Sequence, residues 1–255
     1  MSRVRAPSVT LMKEPSKQTS QSPLVMPAGS QLNSLIPPEI KNDEFYNLIY
    51  GLARSEPVKT VLEIGSSSGE GSTEAFVRGI RENLARPVLY CIEVSSPRFC
   101  ALRDLYAADG FVRAYNASSV PAEKFPSEEE LARFHREAGS SISRYPLEQV
   151  IAWLRQDLEY ILFAQQEGIP TNGIRRIKAE NGIEHFGMVL IDGSEFSGKA
   201  ELDEVIGAEI ILLDDISGFK NLENHQRLAR DPAYVMVTRN TKLRSGYSVF
   251  RRRGS

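Results

Sequence analysis

The sequence predicts an α/β fold: a mixed β-sheet with helices on both faces, interrupted once by a helical insertion. Three observations lead there. From Val58 onward, short apolar runs alternate with helix-length segments, a stretch between residues 121 and 181 breaks that rhythm with helical pattern alone, and the chain closes on two strand-like runs joined by a short turn. Short strands separated by helices favour parallel pairing buried on both faces. A terminal hairpin adds antiparallel pairing at one side, which makes the sheet mixed.

Residues 1–38 are rich in Ser, Pro and small polar groups and read as a flexible tail that becomes ordered near "LIPPEI" and could cover a substrate. Asp43 to Ala53 reads as a helix, Val58 to Ile64 as a strand, Ser72 to Leu84 as a helix, Val88 to Val94 as a strand and Pro97 to Ala108 as a helix. "FVRAYNA", Phe111 to Ala117, offers a third and less apolar strand. The excursion 121–181 holds "PSEEELARFHREAG" and "YPLEQVIAWLRQDLEYILFAQQEGI", both helical, and exceeds the usual crossover length, so it is expected to stand beside the sheet. The alternative is one extended crossover that only covers apolar sheet. "FGMVLID" from Phe186 resumes the strands, followed by a helix at Lys199 to Ile206, a strand at Glu209 to Leu213 and a helix at Leu222 to Arg230. "AYVMVTRN" and "GYSVFRRR", separated by "TKLRS", form the closing hairpin. One folded domain, 39–255, carries all of this.

Composition narrows the function classes. With 255 residues the chain can bury roughly three quarters of the surface its unfolded form exposes, and 41% hydrophobic with 25% charged residues is ordinary for a globular protein. A formal net charge of −2 argues against a general nucleic-acid binder, whose affinity rests on clustered positive charge. Cys91 and Cys100 are too few for a disulfide scaffold and read as reduced packing residues. No apolar run has the length of a signal peptide or a membrane span, so no membrane partner is expected and the expected location is cytoplasmic.

"VLEIGSSSGEGS" follows the first strand with glycines at 65, 69 and 71. Glycine permits tight turns and lets a ligand approach where a Cβ would obstruct it. A helix opening at Ser72 turns unsatisfied N–H groups toward the same place. The spacing GxxxGxG is neither a Walker A loop nor the strict GxGxxG dinucleotide fingerprint. Glu93, at the end of the next strand and 28 residues after Gly65, can accept both hydroxyl hydrogens of a ribose. Asn116 and Ala117, after the third strand, are placed to flank an adenine; their plainer role is a turn.

A second cluster is acidic. Asp192 ends "MVLID", and Asp214 with Asp215 ends "ILLDD". In doubly wound sheets functional groups gather at the carboxyl ends of the strands, so these acids can meet beside the glycine loop. Alternation would point Asp214 and Asp215 oppositely, so convergence requires the chain to leave strand geometry at "DDISG". Carboxylates so placed repel, and Mg2+, which takes oxygen ligands and retains waters, could offset that. Otherwise one Asp caps a helix and another faces water. Glu195 is close enough in sequence to enter the site. His225 is the candidate auxiliary acid or base; His135 could reach in from the insertion, and His185 lies at the strand-entry end.

These residues resemble the class I S-adenosylmethionine-dependent methyltransferases over about Val58 to Arg252. "VLEIGSSSGEGS" resembles their first motif and "LYCIEVS" their second. The resemblance implies a Rossmann-like seven-stranded sheet with an antiparallel last strand. It implies S-adenosylmethionine held by Glu63, Gly65, Ser67, Gly69, Gly71, Ser72, Glu93, Asn116 and Ala117. The acids resemble a branch acting on macrolide sugars, which implies Mg2+ on Asp192, Asp214 and Asp215 and Asp192 in catalysis. "DGSEFSGKAELDEV" and "DDISGFKNLENHQRL" depart from that branch. The expected function is methyl transfer to a small polar molecule, a natural-product or sugar hydroxyl, by a chain that could pair as a homodimer. Two alternatives stand beside it: an oxidation like that of the cephalosporin hydroxylases, which share the fold, and a non-catalytic nucleotide-cofactor-binding protein. An RNA-methyltransferase reading would use Arg239, Lys242, Arg244 and Arg251 to Arg253 as a basic edge.

Overall fold

The computed structural model describes residues 34–254. Seven strands, β1 Thr60–Ile64, β2 Val88–Glu93, β3 Val112–Asn116, β4 Met188–Ile191, β5 Ile210–Asp214, β6 Tyr234–Asn240 and β7 Tyr247–Arg252, form one sheet. Its order is β3-β2-β1-β4-β5-β7-β6. β1 to β5 pair in parallel, whereas β7 runs antiparallel to both β5 and β6. The mixed sheet expected from the closing hairpin is therefore present, and the strand order reverses at β1 and β4.

Among the described residues eight α-helices accompany the sheet: α1 Glu44–Ser55, α2 Ser72–Glu82, α3 Ser96–Leu105, α4 Glu128–Glu137, α5 Leu147–Gln166, α6 Gly173–Asn181, α7 Gly198–Val205 and α8 Leu222–Arg230. Period-two alternation sorts the strand side chains between two layers. Val61, Leu89, Cys91, Leu190 and Leu212 face α1, α2 and α3 with Phe45, Phe76 and Leu102. Leu62, Ile92, Val189, Ile211 and Leu213 face α6, α7 and α8 with Ile174, Leu202 and Leu228. Because the central strands β1, β2, β4 and β5 are mostly apolar and buried, both faces of the sheet are closed there. No described helix is long and apolar enough to cross a membrane.

The excursion expected at 121–181 divides in two. α6 belongs to the sheet: Ile174 and Ile177, three apart, are fully buried in the second layer, and Gly182 at φ 63 ends the helix in the left-handed region. α4 and α5 instead build a small core of their own from Leu131, Phe134, Val150 and Leu154 together with Phe196, which follows β4. That part covers loops at the carboxyl ends of the strands. α4 begins with a capping box, in which the Ser127 and Glu130 side chains each accept from the other's backbone N–H.

α1 and α2 cross at Gly79, where a Cβ would lie 2.6 Å from the Tyr50 carbonyl oxygen and 2.7 Å from the Ala53 Cβ. Two effects of Gly79→Ala compete. Alanine favours a helix interior by about 0.5–1 kcal/mol, whereas forcing a methyl group into a filled crossing costs about 1–3 kcal/mol. Steric overlap with backbone should win, so Gly79→Ala is expected to lower the urea midpoint; a raised midpoint would show that the crossing has room.

Candidate active site

The loop after β1 is shaped by close approach. Gly65 has φ +88, and a Cβ there would stand 2.1 Å from the carbonyl oxygen of Asp192. The Gly65 and Ser66 N–H groups both donate to the Ile92 carbonyl at 3.1 Å, which folds the loop over the end of β2. Gly69, also at φ +88, sits against Leu102 and Tyr106, and the Tyr106 hydroxyl donates to its carbonyl at 2.6 Å. Glu93 lies opposite. Its carboxylate accepts from the Ser67 N–H at 2.8 Å and the Ser95 N–H at 2.7 Å. Burial raises its pKa, with those N–H groups and Arg98 pulling the other way.

A cavity of about 290 Å3 opens between this loop, the ends of β2 and β4, α5 and the segment before α1. That is near the small end of the roughly 300–1,000 Å3 usual for small-molecule sites. Of the residues expected to hold a cofactor, Gly65, Ser67, Gly71, Ser72, Glu93 and Ala117 border the cavity, whereas Glu63, Gly69 and Asn116 stand behind its wall. Glu63 is fully buried and accepts from the Thr73 hydroxyl at 2.7 Å. Asn116 donates to the Glu93 and Val94 carbonyls, which fixes the turn beside Glu93. Among the described residues the Ser67 Oγ is buried without a hydrogen-bond partner, on a residue that borders the cavity.

Two contributors were not among the residues expected in the site. Ile36, Pro37 and Pro38 reach the cavity from the end of the expected tail, and the Arg98 guanidinium holds that segment by donating to the Ser34 carbonyl at 2.8 Å. The remainder of the tail, residues 1–33, lies outside the described residues. α5 brings Asp157, Tyr160 and Ile161 to the opposite side. Asp157 accepts from the Ser194 hydroxyl at 2.5 Å, and burial raises its pKa.

The three acids do converge. Carboxylate oxygens of Asp192, Asp214 and Asp215 lie within 4.8 Å of one another. The departure from strand geometry occurs at Asp215, whose φ of 54 is left-handed. Asn221 secures the turn: its side-chain amide donates to the Ile191 carbonyl at 3.0 Å and the Asp214 carbonyl at 2.6 Å, tying the ends of β4 and β5 together.

A lysine stands among these acids. The Lys220 ammonium is 2.8 Å from Asp192 Oδ1 and 2.8 Å from Asp215 Oδ2. Burial opposes its charge, but Asp192, Asp215, Glu195 and Asp214 together hold its pKa well above the ordinary lysine range. Arg244 donates to Asp214 Oδ1 at 3.2 Å and also pairs with Asp43. Asp214 is nevertheless pushed up to about 6, by burial first and then by Asp215, against Lys220 and Arg244. Glu195 accepts from the Phe219 N–H at 2.7 Å and faces the same loop. The donor set suits a hard cation by type, but the place between Asp192 and Asp215 is taken by Lys220. With that side chain in position the residues do not fit a metal.

His225 lies elsewhere. It is buried on α8 with Nδ1 3.0 Å from the Ser248 hydroxyl and its ring against Phe250, and it borders no part of the cavity. Its expected acid or base role has no geometry here, because the following helix turns that face toward β7. His135 Nε2 is 2.8 Å from the Tyr145 carbonyl, and His185 sits beside Glu184. The supposed basic edge is also partly consumed: Arg244 is paired as above, and Arg251 binds Glu56 through two nitrogens.

No family model matches the chain, and no curated protein matches it. Solved structures do. The O-methyltransferase from Bacillus cereus in complex with SAH covers 90% of this chain and 94% of its own at 13% identity, with a TM-score of 0.52. The cofactor-bound protein Rv0187 from MTB covers 84% and 82% at 14% identity, with a TM-score of 0.50. The chain therefore shares the seven-stranded α/β fold of these solved structures. At this level of identity the likeness establishes the fold alone.

The placement of His225 carries a pH consequence. Burial first, then Arg239, lowers its pKa from 6.5. The neutral ring is thus preferred in the folded state, and its stabilising contribution is complete above pH 6.5 and is lost as pH falls through the lowered folded value. Wild-type urea midpoints are expected to drop from neutral to mildly acid pH more steeply than those of His225→Gln. Parallel curves for the two proteins would count against a buried, neutral His225.

Proposed function

We propose that this chain is an S-adenosylmethionine-dependent methyltransferase acting on a hydroxyl of a small polar molecule. One observation carries the reading: the glycine loop with Glu93 and the acid end of β4 open into the same cavity. A donor and an acceptor bound there would be neighbours. Glu93 would accept ribose hydroxyls, while Gly65, Ser67, Gly71 and Ser72 would hold the methionine portion and Ala117 would face the adenine. Glu63, Gly69 and Asn116 support these walls from behind.

When bound, S-adenosylmethionine would supply an electrophilic methyl group for the acceptor oxygen and would leave as S-adenosylhomocysteine. The protein's tasks are alignment, exclusion of water and removal of the hydroxyl proton. Proximity supplies much of the acceleration in such a transfer. The segment 36–40 and α5 close the cavity from two sides. Asp192 is the candidate proton acceptor, since its Oδ1 is held by Lys220 and it borders the cavity. Asp157 and Asp192 border the cavity on this side, which favours a neutral acceptor such as a sugar or natural-product hydroxyl over a phosphate or carboxylate.

The second reading is the Mg2+-assisted one, favoured by the closeness of Asp192, Asp214 and Asp215. It requires Lys220 to leave its position. An oxidation like that of the cephalosporin hydroxylases is less well supported, because none of the histidines at 135, 185 and 225 borders the cavity.

Calorimetry with S-adenosylhomocysteine and mass spectrometry of products separate these readings. S-adenosylhomocysteine is expected to bind, and Glu93→Ala to weaken it at least about tenfold, a loss of about 1.4 kcal/mol that is in the range of one hydrogen bond to a charged group. Incubation with S-adenosylmethionine and a panel of small hydroxylated compounds should yield a product heavier by one methylene. A product heavier by one oxygen would support oxidation instead, and binding without any product would support a non-catalytic protein.

A further inference from the structure

Lys220 is held in place from several directions. Gly198 allows the chain to pass so closely that a Cβ there would meet the Lys220 carbonyl oxygen at 2.0 Å. Glu195 accepts from the Phe219 N–H at 2.7 Å and from the Lys220 backbone N–H at 3.4 Å, so one carboxylate fixes the backbone immediately before and at the lysine. Asn221, the next residue, is fully buried and bonded across two strand ends. A side chain on such a backbone, itself only 8% exposed, is not a surface lysine that happens to fold inward.

Charge explains why a cation belongs there. Removing one member of a buried ion pair leaves an uncompensated charge and is strongly destabilising. Here Asp192 and Asp215 would face each other, with Asp214 and Glu195 nearby, if Lys220 were neutral. Arg244 offsets part of Asp214 but is shared with Asp43. An ammonium has three N–H bonds, of which Asp192 and Asp215 take two. The third remains for an oxygen, and Lys220 forms part of the cavity wall beside Asp192.

We propose that Lys220 is the resident cation of this acid site, standing where a divalent ion would be needed and making the site independent of metal. Resting on the methyl-transfer reading above, the proposal assigns Lys220 a positioning role: it holds Asp192 in orientation and offers one N–H to the oxygen of a neutral acceptor. The acids at 192, 214 and 215 then serve the lysine, and not a metal ion.

The test uses Mn2+ as a paramagnetic probe, titrated into the full chain and followed by electron paramagnetic resonance. Wild type is expected to bind no Mn2+ with a Kd below about 1 mM, whereas Lys220→Met, which frees the carboxylates while keeping side-chain length, should bind it at least about tenfold more tightly. Lys220→Arg restores the charge and should behave as wild type in the same titration. Binding by wild type below that limit, or a Mn2+ affinity in Lys220→Met within about twofold of wild type, would overturn the proposal. Calorimetry with S-adenosylhomocysteine runs alongside: retained binding in Lys220→Met shows an intact fold, and absent binding in wild type would sink the cofactor reading while leaving the Mn2+ result to decide the cation. If Lys220→Met does not fold, the wild-type and Lys220→Arg titrations decide, with Mn2+ binding by either one counting against the lysine.

Discussion

The approach of Gly65 to the carbonyl of Asp192, so close that a side chain at 65 would overlap it at 2.1 Å, is the constraint from which the site follows. β1 and β4 are neighbours at the point where the strand order reverses, with Ile64 opposite Ile191. The next residue of each strand therefore begins a loop, and the two loops leave in contact. Had residue 65 carried a side chain, the glycine loop would have been pushed away from the acid end of β4. The glycine loop and the acid cluster would then open onto separate surfaces. The left-handed φ of Gly65 and the absent Cβ answer two requirements at one position.

What the sequence made legible follows from this geometry. Strand ends can be read from apolar runs that stop abruptly, and parallel sheets gather those ends on one side. Gly65, Glu93, Asp192 and Asp214 are therefore legible in the sequence as one neighbourhood. Residues that reach the site from irregular chain are not. Lys220 sits six residues beyond β5 in a loop without periodicity, and nothing in "SGFKN" separates an inward lysine from a solvated one. Arg244 in "TKLRS" reads only as part of a basic edge because its partners, Asp43 and Asp214, are about 200 and 30 residues away in sequence. α6 was hidden in the insertion, although Ile174, Ile177 and Gly182 carry an apolar step and a helix-ending glycine that mark it. His225 failed for the opposite reason. Its nearness in sequence to the acids suggested the site, but α8 turns it toward β7.

Arg244 links the acid site to the start of the folded chain. Asp43 caps α1 by accepting from the Tyr46 N–H at 2.8 Å, and the same carboxylate pairs with Arg244, which also reaches Asp214. The segment that borders the cavity, Ile36 to Ile40, leads directly into that cap. Its position is thus joined to the charge balance of the acids at one end and to Arg98 at the other. Changes in the ionisation of Asp214 would be felt where the segment meets α1 as well as at Lys220.

The helices α4 and α5 act on the site through two phenylalanines. Phe196 follows Glu195, and Phe219 precedes Lys220, so each aromatic is adjacent in sequence to a charged residue of the acid cluster. Phe219 packs edge-on against Phe134 of α4, with ring centroids 4.6 Å apart, and Phe196 is buried in the same small core. Edge-to-face contacts of this kind contribute about 0.5–1.5 kcal/mol beyond their buried area. The insertion therefore clamps both loops from the side opposite the sheet, while α5 carries Asp157 into the cavity wall. Such an arrangement divides the cavity wall between two supports. The sheet fixes the glycine loop and the acids, and the insertion fixes the loops and the wall opposite them. Substitution within the α4–α5 core can then reshape that wall without disturbing the strand ends that carry Gly65, Glu93 and Asp192.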